Sequence, residues 1–388
     1  MRFQTDITVA VRPFAAVSSS GLLDSNLTTE SVTNIAVFGT LPVPQLLQES
    51  LEQVKAGFCS GLAPTLTEEG TSGSYMLRGA GEQMGRRPVA LWKPVDEEPF
   101  APNNPRGMKA PFGSETCRPG VKSGESSLRE VLAYLLDHEG FAGVPPTALV
   151  EISHPSLTTS LLTEKQVTSA EFRNLISGLV QFEKTPKHTS PYSSPKSALS
   201  SACTSETSSS ASSAKTANEC GRSMGKLGSY QMFVANEGPV ENYSESLFPI
   251  DEVHKIAVLD LRLLNLDRNA CNILVKQSDS GLKLVPIDHG LIMPDSLAIQ
   301  SFDLAWLSYP QAEEPFSAET LAYISRLDVD ADIKLVERNF KVRPECLRNI
   351  KISSILLKEA AAMGLTLAQI GQILCRPDDD EEAPSLLE

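Results

Sequence analysis

LDLRLLNLDRNACNILVKQSDSGLKLVPIDHG (Leu259–Gly290) ends one helix, makes two strands and crowds its polar residues into the joints between them. Apolar residues from Phe248 to Leu264 recur at helical spacing and predict a helix that runs into a loop at Asn265. Cys271–Val275 and Leu282–Ile287 then read as a strand pair. One joint is Asp267-Arg268-Asn269-Ala270-Cys271-Asn272. The other, Asp288-His289-Gly290, follows sixteen residues after Asn272.

Upstream, Tyr75–Arg78 and Val89–Lys93 predict two antiparallel strands around a Gly-rich turn. Gly124–Asp137 predicts a helix from Leu128, Val131, Leu132, Leu135 and Leu136, and Val144–Ile152 a further strand. Pro42–Phe58 predicts an amphipathic helix with Leu46, Leu47, Leu51 and Val54 near one face. Gln231–Val234 is strand-like. Downstream, Arg343–Met363 predicts a helix closed by Gly364, and Thr366 caps another. Phe3, Thr5, Ile7, Val9 and Val11 alternate as a strand would, and Thr168 with Glu171 forms a capping-box pair. A β-rich part followed by a helical part predicts an α+β fold in a bilobal layout.

Between Thr185 and Ser223 lie thirteen serines with almost nothing to bury, which predicts a disordered insertion. The domain reading is therefore a variable segment 1–42, a first lobe 43–183, the insertion 184–227, a helical lobe 228–376 and an acidic tail 377–388. The 388 residues carry 34 basic and 48 acidic side chains, a net charge of -14. So acidic a chain is a poor nucleic-acid binder, because that binding rests on counterion release at a basic surface. Seven cysteines without a C-x-x-C pair argue against a disulfide framework or zinc site and for a reducing compartment. No secretory leader or apolar run of membrane length is expected, so any membrane contact is peripheral. Arg86, Arg87, Arg106, Lys109, Arg118 and Lys122 could form a basic rim for such contact.

Three separated features share one chemistry. Ser72-Gly73-Ser74 enters a strand, and Lys93 follows nineteen residues later on the next strand. Backbone N–H groups and hydroxyls of such a turn suit phosphate oxygens, and the lysine supplies a point charge. Asp267 and Asn272 have the D-x-x-x-x-N spacing that puts a carboxylate near an attacking hydroxyl and an oxygen ligand for Mg²⁺ close behind it. Asp288, released by Gly290, is placed to hold a metal on nucleotide phosphates. Each alone is ordinary turn chemistry; the three in this order point to phosphoryl transfer. Glu130, on the helix after Lys93, is the expected partner of the lysine, with Glu125 as its competitor. His289 reads as tuning the surroundings of Asp288, and Trp92 and Trp306 as core or groove aromatics.

Six stretches carry a family resemblance: VALWKPVDEEPFAPNNP (Val89–Pro105), REVLAYLLDHEGFAGVPPT (Arg129–Thr147), LDLRLLNLDRNACNILV (Leu259–Val275), VPIDHGLIMP (Val285–Pro294), YPQAEEPFS (Tyr309–Ser317) and LLKEAAAMGLTLAQIG (Leu356–Gly371). Together they closely resemble the type II and plant gamma phosphatidylinositol 4-kinases, gamma-type the more closely. The resemblance implies a lipid-kinase version of the protein-kinase fold. It implies a phosphate-binding turn at Ser72, Gly73 and Ser74, and Lys93 on the α/β phosphates with Glu130 orienting it. It further implies a hinge whose Gln231, Phe233 and Val234 line the adenine site, Asp267 as catalytic carboxylate, and Asn272 and Asp288 as metal ligands. The type II palmitoylated cysteine cluster is absent, with only Cys117 nearby.

The function implied is ATP- and Mg²⁺-dependent phosphorylation of the inositol 4-hydroxyl of phosphatidylinositol, with Mn²⁺ as the alternative ion, at a cytoplasmic membrane face. The insertion would serve docking proteins. A protein serine/threonine kinase on the same fold is the first alternative, and a nucleotide-binding scaffold with little catalysis the second.

Overall fold

The computed structural model describes residues 34–39, 41–81, 87–157, 225–279, 281–298, 303–376 and 384–387. The alternation at Phe3–Val11, the Thr168 capping box, the serine-rich stretch and the acidic run 378–382 lie outside them.

One six-stranded antiparallel sheet holds β1 (Asn34–Val37), β2 (Thr65–Leu66), β3 (Tyr75–Arg78), β4 (Pro88–Pro94), β5 (Thr147–Ser153) and β6 (Lys226–Met232), in the order β1-β5-β6-β4-β3-β2. Side chains alternate across a strand, so each face of this sheet can recruit a different helix. Helix α1 (Gln45–Cys59) covers one face, packing Leu47, Leu51, Val54 and Phe58 on Trp92, Val150 and Tyr230. Of the four residues expected near that face, Leu47, Leu51 and Val54 are buried, whereas Leu46 is 61% exposed. Helix α2 (Ser126–Leu136) covers the other face, against Leu149 and Leu227. Trp92 therefore packs toward α1, while its neighbour Lys93 meets α2.

Two expectations shift here. The strand placed at Gln231–Val234 occupies Lys226–Met232, because Lys226 and Ser229 are buried polar residues that an apolar pattern cannot reveal. Strand β1, which lies in the segment expected to be variable, pairs Asn34–Val37 with Val150–Ser153.

After the sheet come α3 (Ile250–Leu263), β7 (Asp267–Arg268), the hairpin β8 (Ile273–Ser278) and β9 (Gly281–Pro286), and β10 (Asp303–Leu304). Four helices follow: α4 (Ala318–Arg326), α5 (Val329–Asn339), α6 (Pro344–Ala362) and α7 (Leu367–Leu374). Their core gathers Val253, Ile256, Trp306, Tyr323, Leu357 and Ile370 around α3. A second cluster joins α2, β5 and β6 to Leu259 and Leu263 of α3, to Ile292 and Met293, and to Leu347 and Ile350 of α6. Helix α2 is thus buried on two sides, which sets Glu130 where sheet and helices meet. No helix among the described residues is long and apolar enough to cross a membrane.

Candidate active site

Lys93 is 15% exposed at its side chain and Glu130 only 3%. The ammonium donates to Glu130 Oε1 at 2.6 Å and lies 2.9 Å from Asp288 Oδ1. Burial alone would lower the Lys93 pKa, but the Asp288 and Glu130 carboxylates reverse this and raise it. Glu130 Oε2 accepts the backbone N–H of His289 at 2.9 Å, so one carboxylate ties the strand lysine to the chain immediately after Asp288. Although burial pushes the Glu130 pKa up, Lys93 and His289 bring it well below the usual carboxylate range. Glu125, the competing partner for Lys93, instead receives Arg129 and Arg343.

The second wall begins where α3 stops. Leu264 takes the left-handed conformation at φ 51, an arrangement that costs an L-residue about 1–2 kcal/mol, and turns the chain into the polar joint. Asn265 Oδ1 accepts the Asp267 N–H at 3.0 Å, and Asp267 pairs with Asp303 in the parallel β7–β10 ladder. The joint is organised from beneath by the buried pair Asp260–Arg268. Arg268 Nε sits 3.0 Å from Asp260 Oδ2, which also accepts Trp306 Nε1 at 3.1 Å. Arg268 Nη1 donates at 2.6 Å to the carbonyls of both Asn272 and Ile287. This pins the residue before Asp288 beside Asn272. The Asn272 amide nitrogen donates to the Asp267 carbonyl at 2.8 Å, leaving its side-chain oxygen for another partner.

Asp288 has φ 53, a backbone region Asp and Asn occupy more readily than other non-glycine residues. Its side chain is 51% exposed, whereas the imidazole of His289 is fully buried. His289 Nδ1 lies 3.5 Å from Glu130 Oε2, so this residue packs against the partner of the lysine that meets Asp288. The turn at Asp288 sends successive side chains to opposite sides.

These parts meet at an open cleft lined by Ser72, Lys93, Glu130, Asp267 and Asp288 among others. The expected residues do not all reach it. Gly73 is held by its N–H to the Glu97 carbonyl at 2.8 Å, and a Cβ there would fall 2.2 Å from Glu97 Oε2, so only glycine lets the turn pack this closely. Ser74, Gln231, Phe233 and Val234 are also not among the lining residues. The N–H of Phe233 is already bonded to the Val89 carbonyl at 2.9 Å, and the Gln231 amide donates to Thr147 Oγ1 at 3.2 Å. Asn272 is not among the lining residues either; its amide is bonded to the carbonyl of Asp267, which is.

The donors suit a hard divalent cation. Mg²⁺ takes oxygen ligands, commonly one or two side chains plus phosphates. The oxygens of Asp288 and Asn272 are of that kind, and no cluster of three His, Cys, Asp or Glu that could hold a metal by itself occurs among the described residues.

The family model for phosphatidylinositol 3- and 4-kinases matches residues 75–370, which takes in both walls of this cleft. The chain belongs to that family. It is 36% identical over 360 residues to phosphatidylinositol 4-kinase gamma 4 of Arabidopsis thaliana, covering 89% of this chain and 52% of that protein. To phosphatidylinositol 4-kinase gamma 4 of Oryza sativa subsp. japonica it is 35% identical over 364 residues, covering 91% and 52%. To phosphatidylinositol 4-kinase gamma 1 of Arabidopsis thaliana it is 34% identical over 388 residues, covering 97% and 58%. The chain spans about half the length of the curated relatives it matches.

Within the region matched to the family, several residues that shape the site carried no chemical signal in the sequence. Asp96, Glu97 and Glu98 follow Lys93 as an acidic run, which ordinarily means a solvated surface, yet all three are buried. Lys226 pairs with Asp96 at 3.0 Å and with Glu97. Glu98 accepts the N–H groups of Gly124, Ser126 and Ser127 at 2.7–3.1 Å, fixing the start of α2 and hence Glu130. Buried Asn104 donates to the carbonyls of Thr71, Glu97 and Glu98, which anchors the segment entering the Ser72 turn. The expected basic rim is largely spent on local partners. Arg106 bonds to Thr67, Glu68 and Glu69 carbonyls, Lys122 pairs with Glu115, and Arg118 turns inward to Asp267. Arg86 lies outside the described residues.

Glu125 makes one pH dependence explicit. Burial raises its pKa, but Arg129 and Arg343 outweigh this and hold it at about 2, against 4.5 for the free side chain. A carboxylate with a depressed folded-state pKa lends stability that is complete above about pH 4.5 and is lost as the pH falls toward 2. The contribution is on the order of 2–3 kcal/mol. Urea midpoints measured between pH 6 and 2.5 should fall steeply on the acid side, and Glu125→Gln should flatten that fall while lowering stability at pH 6.

Proposed function

We propose that the chain is a lipid kinase that transfers the γ-phosphoryl group of ATP to the inositol 4-hydroxyl of phosphatidylinositol. The observation that carries this reading is the charge arrangement of the cleft: Lys93 lies between Glu130 at 2.6 Å and Asp288 at 2.9 Å, with Asp267 on the same cleft. Such an arrangement performs phosphoryl transfer by positioning and charge stabilisation. The names of the gamma-type relatives add the acceptor.

In this reading the fold is the bilobal protein-kinase arrangement, with residues 43–183 as the first lobe and 228–376 as the second. Lys93 contacts the α and β phosphates and Glu130 orients it; the turn at Ser72–Ser74 covers the phosphates. Residues 231–234 form the hinge beside the adenine site. Asn272 and Asp288 would hold Mg²⁺, which supplies neutralisation of the phosphate charge. Asp267 orients the acceptor. The hydroxyl oxygen forms its bond to the γ-phosphorus as the bond to the β–γ bridging oxygen breaks; ADP leaves and the hydroxyl proton passes to Asp267. The acceptor places the enzyme at a cytoplasmic membrane surface as a peripheral protein.

Phosphate transfer to phosphatidylinositol vesicles and to serine/threonine peptides, measured side by side with Asp288→Asn as the blank, tests this. Lipid phosphorylation at the 4-position that vanishes in the blank is the expected result. Transfer to peptides with none to the lipid would overturn it in favour of a protein kinase.

A further inference from the structure

Residues Gly113–Ser123 fold into a small hairpin that crosses from the sheet to the second wall of the cleft. Glu115 bridges Lys122, and the Thr116 N–H donates to the Val121 carbonyl at 3.1 Å. Its tip is the turn Arg118-Pro119-Gly120-Val121, with proline second, glycine third at φ 84, and the Val121 N–H returning to the Arg118 carbonyl at 3.4 Å. The tip is clamped. The Gly120 carbonyl accepts the Asp295 N–H at 2.9 Å and Arg343 Nη2 at 3.0 Å, while fully buried Val121 packs against Leu266.

Arg118 is therefore delivered to one place. Its Nη2 lies 2.9 Å from Asp267 Oδ1 and 3.5 Å from Asp303 Oδ2, and the Arg118 and Asp267 side chains are 23% and 28% exposed. An exposed surface pair would mean little. This one is mostly buried, and a single guanidinium faces two carboxylates. Only Nη2 donates from its side chain among the described residues, so Nη1 and Nε remain for another acceptor, as does Oδ2 of Asp267.

We propose that Arg118 is the specificity-determining cation of the acceptor subsite, binding a phosphodiester oxygen of the inositol lipid while Asp267 takes the hydroxyl. This rests on the lipid-kinase reading above. The planar fork of a guanidinium matches phosphate oxygens. The 1-phosphate and 4-hydroxyl stand on opposite corners of the inositol ring, and the remaining Nη1 and Nε of Arg118 would take the first while Oδ2 of Asp267 takes the second. A peptide hydroxyl brings no such anion, so Arg118 discriminates between the two acceptor classes.

Steady-state kinetics of wild type, Arg118→Ala and Arg118→Lys on phosphatidylinositol vesicles test the assignment. The alanine variant should raise KM for the lipid roughly 10- to 100-fold, the loss of one charge-assisted contact, with KM for ATP within about twofold and the lysine variant in between. Inositol 1-phosphate should compete with the lipid better than myo-inositol does in wild type and lose that advantage in Arg118→Ala. Thermal melts identify a variant that has merely lost its fold, in which case Arg118→Lys carries the comparison. An unchanged lipid KM, a fall in kcat alone, or a retained advantage for inositol 1-phosphate would overturn the proposal. Wild type inactive on the lipid would instead bring down the kinase reading itself.

Discussion

Asp288→Asn is expected to lower phosphate transfer by roughly 10²–10³-fold, the usual cost of removing one electrostatic group from a transition state, while leaving the fold in place. Asparagine tolerates φ 53 as readily as aspartate, so the turn that carries the residue is not strained by the change. The side chain is half exposed, and its pair with Lys93 at 2.9 Å is solvent-screened on one side, so the stability change should stay within about 1 kcal/mol. What is removed is a negative charge at the cleft. Transfer kinetics across a Mg²⁺ titration, beside thermal melts, measure both quantities. A variant that keeps full transfer would remove Asp288 from the site.

Lys93→Met should cost both activity and stability, and the two losses can be separated. Methionine leaves Glu130 almost fully buried without its cation, and breaking a buried pair from one side typically costs about 3–5 kcal/mol. Transfer should fall roughly 10²–10³-fold at the same time. Adding Glu130→Gln removes the stranded charge and still offers an oxygen to the His289 N–H. The double variant should therefore recover most of the stability in urea unfolding and none of the transfer. If the single variant were as stable as wild type, the pair would not hold the site together. If the double variant regained transfer, Lys93 would not be the residue that meets the phosphates.

The difference between these two residues reflects what a one-dimensional pattern can carry. The elements around Asp267 and Asp288 are local: the α3 periodicity, the two short β-branched runs and the polar joints between them are all visible within Leu259–Gly290. Helices α4 and α5 had equally local caps in Ser317 and Asp328, whose side chains accept the Thr320 and Ala331 N–H groups, but only short apolar stripes beside them. The acidic run Asp96–Glu98 misled for a physical reason. Carboxylates in sequence look solvated, and it is Lys226, far along the chain, with the Tyr75 hydroxyl, the Asn103 amide and the N–H groups at the start of α2, that makes their burial tolerable.

Residue types, their order and their spacing determined that this chain has a sheet followed by helices, and that an amine and three oxygen-bearing side chains stand at its joints. Those properties are set by periodicity and by neighbours a few positions away. The tertiary structure alone decided who else meets whom: that Glu125 takes two arginines, that His289 packs on Glu130, and that Arg118 reaches Asp267. Charges pair across whatever distance the packing brings to within a few ångströms, and no local pattern records that distance.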